Sequence, residues 1–334
     1  MKMNVFYTLN DAYVPHLAAS ICSLCENNRQ AETIHFFVLS MGIRPQNLQR
    51  LQELVQRYGR GLTVSEFGDV AQKFQFPIDT RGFDVSVLAR LFVGSVLPQT
   101  VDRALYLDCD TIVLDALEDL WQTDLSHCLL GAVMEPTVEK SRKTSLGLAP
   151  SDPYFNSGVL LFNLQAWREQ QAERAVVEYY ASKGGSLIAP DQDAINGAFT
   201  GRIKELSPRY NYGTIEIYYP YKTLKKIAAP APYLPEAEYN RAKRRPAIIH
   251  YLGEERPWRK GSTHPFTKHY EQNLAMTPWQ DTPKEEGWQA YFFFFRIFNA
   301  VTKPCRMLRY RIINALIPAF MRRRAKQRTQ QKER

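Results

Sequence analysis

The chain has 334 residues, 45% of them hydrophobic, and a formal charge of +9, which is material for one large domain or two ordinary ones. That charge is localised: from Arg296 to Arg334 there are 12 Lys/Arg against 1 Glu, so this segment carries +11 and everything before it −2. A near-neutral body offers no broad basic face to nucleic acid, and no run reaches the roughly 18 apolar residues of a spanning helix.

Taken in order, Asn4 to Leu9 reads as a first strand, followed by a turn and a helix from about Val14 to Glu26. The start of the chain does not read as a secretory leader, so the five cysteines are expected as reduced thiols of a cytoplasmic protein. Cys22 and Cys25 are spaced C-x-x-C but share one face of an apolar helix, and no second ligand pair follows, so they read as core. Ile34 to Ser40 is a second strand. Pro45 opens a helix to Tyr58 with Leu48, Leu51, Leu54 and Val55 inward. Leu62 to Phe67 is a third strand, Ser86 to Val93 a helical stretch holding Arg90 among apolar residues, and Leu129 to Met134 a further strand. Strands alternating with helices predict an α/β fold, a mostly parallel sheet covered on both faces. No G-x-G-x-x-G or Walker sequence is present, which leaves a dinucleotide-binding dehydrogenase or a P-loop enzyme unsupported.

The stretch Ala104 to Leu107 is a buried-strand pattern that ends in Asp108-Cys-Asp110. In extended chain, residues i and i+2 point the same way, about 6.5–7 Å apart, so two carboxylates there can share one hard divalent cation. A solvated acidic turn is the plain alternative, with Asp115 capping the next helix.

Six blocks in order decide between these readings: Tyr7-Thr-Leu-Asn-Asp-Ala-Tyr13, Leu88-Ala-Arg-Leu91, Tyr106-Leu-Asp-Cys-Asp110, Phe155-Asn-Ser-Gly-Val-Leu-Leu161 with Asn163, Pro190-Asp-Gln-Asp193 with Asn196, and His250-Tyr-Leu-Gly253 with Pro257-Trp258. Together they resemble the retaining glycosyltransferases of family 8, which have a GT-A fold, and most of all bacterial lipooligosaccharide α-galactosyltransferases. The resemblance covers about residues 1–270, expected as the catalytic domain, with 271–334 as an extension. It implies transfer of a hexose, galactose or glucose, from a UDP-sugar to a saccharide or glycolipid acceptor in cell-surface glycan synthesis.

The resemblance also distributes roles. Tyr13 would stack on uracil, with Thr8, Asn10 and Asp11 bonding base or ribose; Ala12 departs from the family's Asp-Asp-Asn before this Tyr. Arg90 would neutralise the aspartates or reach the diphosphate. Asp108, Asp110 and His250 would hold Mn2+, or Mg2+, the imidazole favouring manganese. Gly253 would allow close backbone approach, and Arg256, where the family has Lys, would meet the diphosphate. Asp191 and Gln192 would border the sugar, Gln192 stabilising the developing cation, with Asp191 capping its helix on the plainer reading. Asn156 would hold sugar hydroxyls; Asn163 reads as structural. Front-face attack, the departing diphosphate accepting the acceptor's proton, would retain configuration.

Past Pro265 the resemblance fades. Trp288 to Phe298 is aromatic, and in Arg306 to Arg324 the residues Ile312, Ile313, Leu316, Ile317 and Phe320 fall at helical spacing among cations, with Pro318 expected to kink or interrupt the helix and a disordered polar end beyond. Such a tail suits an anionic membrane surface on the cytoplasmic side; the alternative is a helix packed on the domain. Two other function classes compete: a non-catalytic membrane or nucleic-acid binder on the same scaffold, and a UDP-sugar nucleotidyltransferase.

Overall fold

The computed structural model describes residues 1–332, with side chains as far as Ala319. Seven strands make one sheet in the order β3-β2-β1-β4-β7-β6-β8: Gly61–Glu66 (β3), Thr33–Ser40 (β2), Lys2–Leu9 (β1), Arg103–Leu107 (β4), Phe155–Asn163 (β7), Leu130–Met134 (β6) and Ile203–Leu206 (β8). Thr111–Val113 (β5) and Ile248–His250 (β9) pair antiparallel as a second, small sheet. Neighbours in the large sheet run parallel except where β7 lies between β4 and β6. The reversal matters for function. Because β7 runs the other way, its first residues, Phe155 to Gly158, arrive at the edge where β1, β4 and β6 end.

Period-2 alternation assigns the two faces. In β1, Val5, Tyr7 and Leu9 enter one core layer and Phe6 the other. The first layer is closed by the helix Val14–Asn27 and by Pro45–Arg57, whose Leu51, Leu54 and Val55 are buried, each contributing roughly 1.5–3 kcal/mol relative to exposure. Cys22 and Cys25 sit in this layer as buried free thiols, and burial pushes Cys22 up to about 11. The second layer is covered by Val85–Phe92 and by helices carrying Trp167, Val176 and Ile195. Val85–Phe92 winds as a tighter 3-10 helix, and Asp84 accepts the Ser86 N–H at its start.

Beyond residue 270 the first layer continues through Leu274 and Trp279, whose indole donates to Asn47 at 3.2 Å. Two helices follow, Gln289–Thr302 and Arg306–Lys332. The second passes through Pro318 without interruption and runs on to Lys332, where the sequence leads to the expectation of a kink or an interruption and a disordered polar end. Phe320 and the basic run from Arg322 to Lys326 lie outside the residues whose side chains are described. Among the described residues no helix is long and apolar enough to cross a membrane.

Candidate active site

Asp108 leaves β4 with its N–H bonded to the Gly158 carbonyl at 2.8 Å, so the strand register sets the carboxylate's position. Asp110 follows in the turn, and His250 ends β9 beside it. The His250 Nε2 lies 3.1 Å from Asp110 Oδ1 and 3.6 Å from Asp108 Oδ2. One donor atom from each of the three residues falls within 4.8 Å of the others. Asp110 is 8% exposed and His250 3%, so this is no solvated turn.

A relay behind the imidazole fixes its tautomer. Nδ1 meets the Asn211 side-chain oxygen at 2.8 Å, Asn211 donates to the Asn156 side-chain oxygen at 2.8 Å, and that oxygen also takes the Gly158 N–H at 2.9 Å. With Nδ1 carrying hydrogen toward Asn211, Nε2 is turned to the carboxylates. Space for this arrangement depends on Gly158. A Cβ there would lie 2.1 Å from His250 Cε1 and 2.9 Å from Asp108 Oδ2.

Electrostatics separates the two aspartates. Burial, reinforced by Asp110, raises the Asp108 carboxyl above its usual range against the opposing pull of Arg90 and His250. Burial also works against the Asp110 charge, but Arg256 and His250 outweigh it and hold that carboxyl well below its usual range. Burial disfavours a charged His250, and the nearby Asp110 and Asp108 overcome it, raising the imidazole. Two hard oxygens and one imidazole converging on a buried point match the donor set of a manganese or magnesium site.

Arg90 is 4% exposed and bridges the ends of two elements. It reaches Asp108 at 2.9 Å and Asp191 at 3.2 Å, donates to the Ser157 carbonyl at 2.8 Å, and lies 4.3 Å from the centre of the Tyr106 ring. The Asp191 Oδ2 is buried, ion-paired with Arg90 but without an aligned hydrogen-bond donor. Asp191 does not cap its helix. The cap position is Ala189, and it is Asp193 that accepts the Ala189 N–H at 3.0 Å while Arg142 and Tyr154 hold its other oxygen. Asn196 ties the same helix to both backbone groups of Phe155.

Gln192 is held on both sides. Its oxygen accepts the Ser157 N–H at 3.1 Å, and its amino group donates to Glu135 at 3.1 Å and to the Tyr154 hydroxyl at 3.2 Å. Asn156 also donates to Glu135, at 3.0 Å. Glu135 is thus a hub that the sequence reading missed, although its place directly after β6 matches the rule that ligands bind at strand ends. Asn211 was equally missed, and no local pattern marks it.

These residues line a cleft of about 470 Å³ together with Thr8, Asn10, Tyr13, Gly253 and Arg256. Arg256 reaches Asp110 at 3.1 Å and donates to the Tyr13 hydroxyl at 2.5 Å. Gly253 has φ +74, a conformation that favours glycine. Trp258 stacks on His16 at 3.7 Å; burial, with Arg256 nearby, drops that histidine to about 3, so the stack is neutral. The structure does not bring Asp11 into the cleft. Its carboxylate accepts the Arg44 N–H at 2.9 Å and the Asn47 amide at 2.8 Å and pairs with the Arg44 guanidinium, so it anchors the turn that presents Asn10 and Tyr13. Asn163 caps the helix after β7 through the Ala166 N–H.

The family model of glycosyl transferase family 8 matches residues 4–262. The chain is 27% identical to general stress protein A of Bacillus subtilis, over 83% of this chain and 94% of that protein. It is 26% identical to a lipopolysaccharide 1,2-glucosyltransferase of Escherichia coli, over 84% and 79% respectively. Among solved structures, galactosyltransferase LgtC, crystallised with donor and acceptor sugar analogs, superposes with a TM-score of 0.69 at 24% identity, covering 86% of this chain and 99% of that one.

Proposed function

The chain belongs to glycosyl transferase family 8 and has its GT-A fold, and on that premise we propose that it is a retaining, manganese-dependent hexosyltransferase that uses a UDP-sugar. The observation that carries this reading is the convergence of the half-buried Asp108 with the buried Asp110 and His250 in a cleft that Tyr13, Asn10 and Arg256 also line. In this reading galactose or glucose passes to a saccharide or glycolipid acceptor of the cell surface, in keeping with the lipopolysaccharide glycosyltransferases among its relatives.

Asp108, Asp110 and His250 would hold the divalent ion, which when bound supplies Lewis-acid stabilisation to a departing diphosphate. The protein's own residues supply the rest. Arg256 adds a positive charge beside Asp110, and Tyr13, next to it, offers a ring face to the base. The unaligned Asp191 Oδ2 is an acceptor available to a sugar hydroxyl. Gln192, fixed by Ser157 and Glu135, presents a neutral dipole; an amide oxygen is a poor nucleophile, which favours electrostatic stabilisation of the sugar cation over a covalent intermediate.

The tail supports a peripheral location on the inner face of the membrane. Phe293, Phe294, Ile297 and Val301 are 52%, 67%, 48% and 72% exposed, and cations flank them in sequence. Part of the tail also packs on the body: Phe292 is buried, and Arg309 is 3% exposed, its guanidinium 4.3 Å from the Tyr218 ring.

The test is a screen of UDP-sugars for hydrolysis with and without manganese, which needs no acceptor. Release of UDP from UDP-galactose or UDP-glucose only in the presence of the metal is the expected result; release undiminished by chelator, or from no UDP-sugar, overturns it.

A further inference from the structure

A second cavity, of about 460 Å³, lies against the first. Glu135 and Arg142 line both. Glu135 is also the residue that Gln192 and Asn156 bond from the cleft side, so a molecule in the second cavity touches the same carboxylate that orients the sugar-bordering residues.

The far wall of this cavity comes from outside the family's span. Tyr310, Ile313, Ile317 and Pro318 of the Arg306–Lys332 helix line it together with Ile188 and Ile215 of the catalytic body. The helix is pinned there by Arg309, which lies over Tyr218 and bonds Asn299. The lining therefore combines charged side chains, Glu135, Glu139, Arg142 and Arg309, with a set of aliphatic ones. Its size matches that of small-molecule sites, about 300–1,000 Å³. It stays open to solvent, since Ile188 and Ile317 keep 43% and 40% of their surfaces exposed.

Glycosyl transfer requires a second substrate beside the donor sugar. A free oligosaccharide would leave the aliphatic part of the lining unused, whereas a sugar carrying an apolar aglycone uses both kinds of side chain. Resting on the reading of the first cleft as a donor site, we propose that this second cavity is the acceptor site. Its occupant is a glycolipid, with the sugar at Glu135 and Arg142 and the apolar aglycone along Ile313, Ile317 and Pro318. The C-terminal helix then sets acceptor preference and is a wall of the enzyme as well as an anchor.

The test compares n-octyl β-D-glucoside, kept below its micelle concentration, with methyl β-D-glucoside on the full-length protein, by ligand-observed NMR. Octyl glucoside is expected to bind about tenfold or more tightly, as burial of a few methylenes requires. The advantage is expected to shrink severalfold in Ile317→Asp and in Ile313→Ser, with thermal melting checking that each variant is folded; Ile317 is exposed enough that its replacement is tolerated. Phe294→Asp, on the outward face, is expected to leave the advantage intact. Equal binding of the two glucosides, an advantage that survives both cavity variants, or one lost equally in Phe294→Asp overturns the proposal. UDP-hexose hydrolysis by the unaltered protein is measured in parallel. If hydrolysis is present and the octyl preference absent, only the acceptor site falls; if hydrolysis is absent, the donor reading falls and takes the acceptor assignment with it.

Discussion

The side-chain oxygen of Gln192 accepts the backbone N–H of Ser157 at 3.1 Å. Its orientation is dictated from both ends, since a flipped amide would set an amino group against that N–H and an oxygen against Glu135. Gln192 is therefore a fixed dipole at the boundary between the helix Pro190–Ala198 and the start of β7. Replacement by Ala is expected to lower kcat by about a hundredfold, the scale of one lost electrostatic stabiliser, while donor affinity changes little. Steady-state kinetics with a direct UDP-sugar titration checks this; parallel losses in both would make Gln192 a binding residue.

Metal binding has a readout independent of turnover. A ligand that binds only the folded state stabilises it by RT ln(1 + [L]/Kd), about 2.7 kcal/mol at a hundred times Kd. Manganese is expected to raise the melting temperature of the unaltered protein, and Asp110→Asn or His250→Ala is expected to abolish the rise. A metal-induced increase that persists in both variants would place the ion elsewhere.

Arg90, itself buried, serves the buried Asp191 and the half-buried Asp108. Removing one partner of a buried ion pair costs about 3–5 kcal/mol because the other charge is left uncompensated, so Arg90→Met is expected to be strongly destabilising in urea unfolding. Manganese should restore part of the loss by neutralising Asp108. A loss below about 1 kcal/mol, the level of an exposed pair, would contradict this account.

Glu216 gives a pH signature. It is 4% exposed, accepts the Gly213 N–H at 3.0 Å, and burial raises its carboxyl from the ordinary 4.5 to about 7. Above pH 4.5 the unfolded chain loses this proton while the folded protein keeps it. The associated stability is thus complete below pH 4.5, falls as pH rises to about 7, and is flat beyond, a change of at most about 3 kcal/mol. Glu216→Gln keeps an oxygen for Gly213 and removes the titration. The difference in unfolding free energy between variant and parent is expected to grow in the variant's favour from pH 4.5 to 7; a constant difference would rule the mechanism out.

Stereochemistry is checked at the product. Retention predicts that an α-linked UDP-hexose gives an α-linked glycoside, read from the anomeric proton coupling; a β-linked product would exclude it.

Much of this was legible in the chain because the signals are local. Hydrophobic runs of strand length marked β1 to β4 and β6, and Asp108-Cys-Asp110 at a strand end allowed a metal site that only the further blocks of the chain separated from a solvated acidic turn. What remained hidden depends on distance in sequence. Nothing near Asn211 reveals that it holds His250, and nothing near Arg44 reveals that it removes Asp11 from the cleft, because both pairings are made only once the sheet has assembled. Reading Asp191 as a helix cap fails because the helix begins one residue earlier, with Ala189 at the cap position and Pro190 in the first turn, and because the Asp191 carboxylate is turned to Arg90. Pro318 is expected to kink or interrupt its helix; the backbone carries the helix through it.

Gly158 makes cation binding hostage to strand alignment. Because β4 and β7 pair antiparallel, with Leu107 opposite Val159 and the Asp108 N–H on the Gly158 carbonyl, the one residue without a side chain falls where His250 and Asp108 approach. A slip of one residue would turn the neighbouring side chains to the opposite face and bring Ser157 or Val159 to that position. The space left for an ion is thus a vernier on the sheet. Mispairing during folding, or a lengthened loop between β6 and β7, would be detected first as lost metal affinity, before any loss of secondary structure.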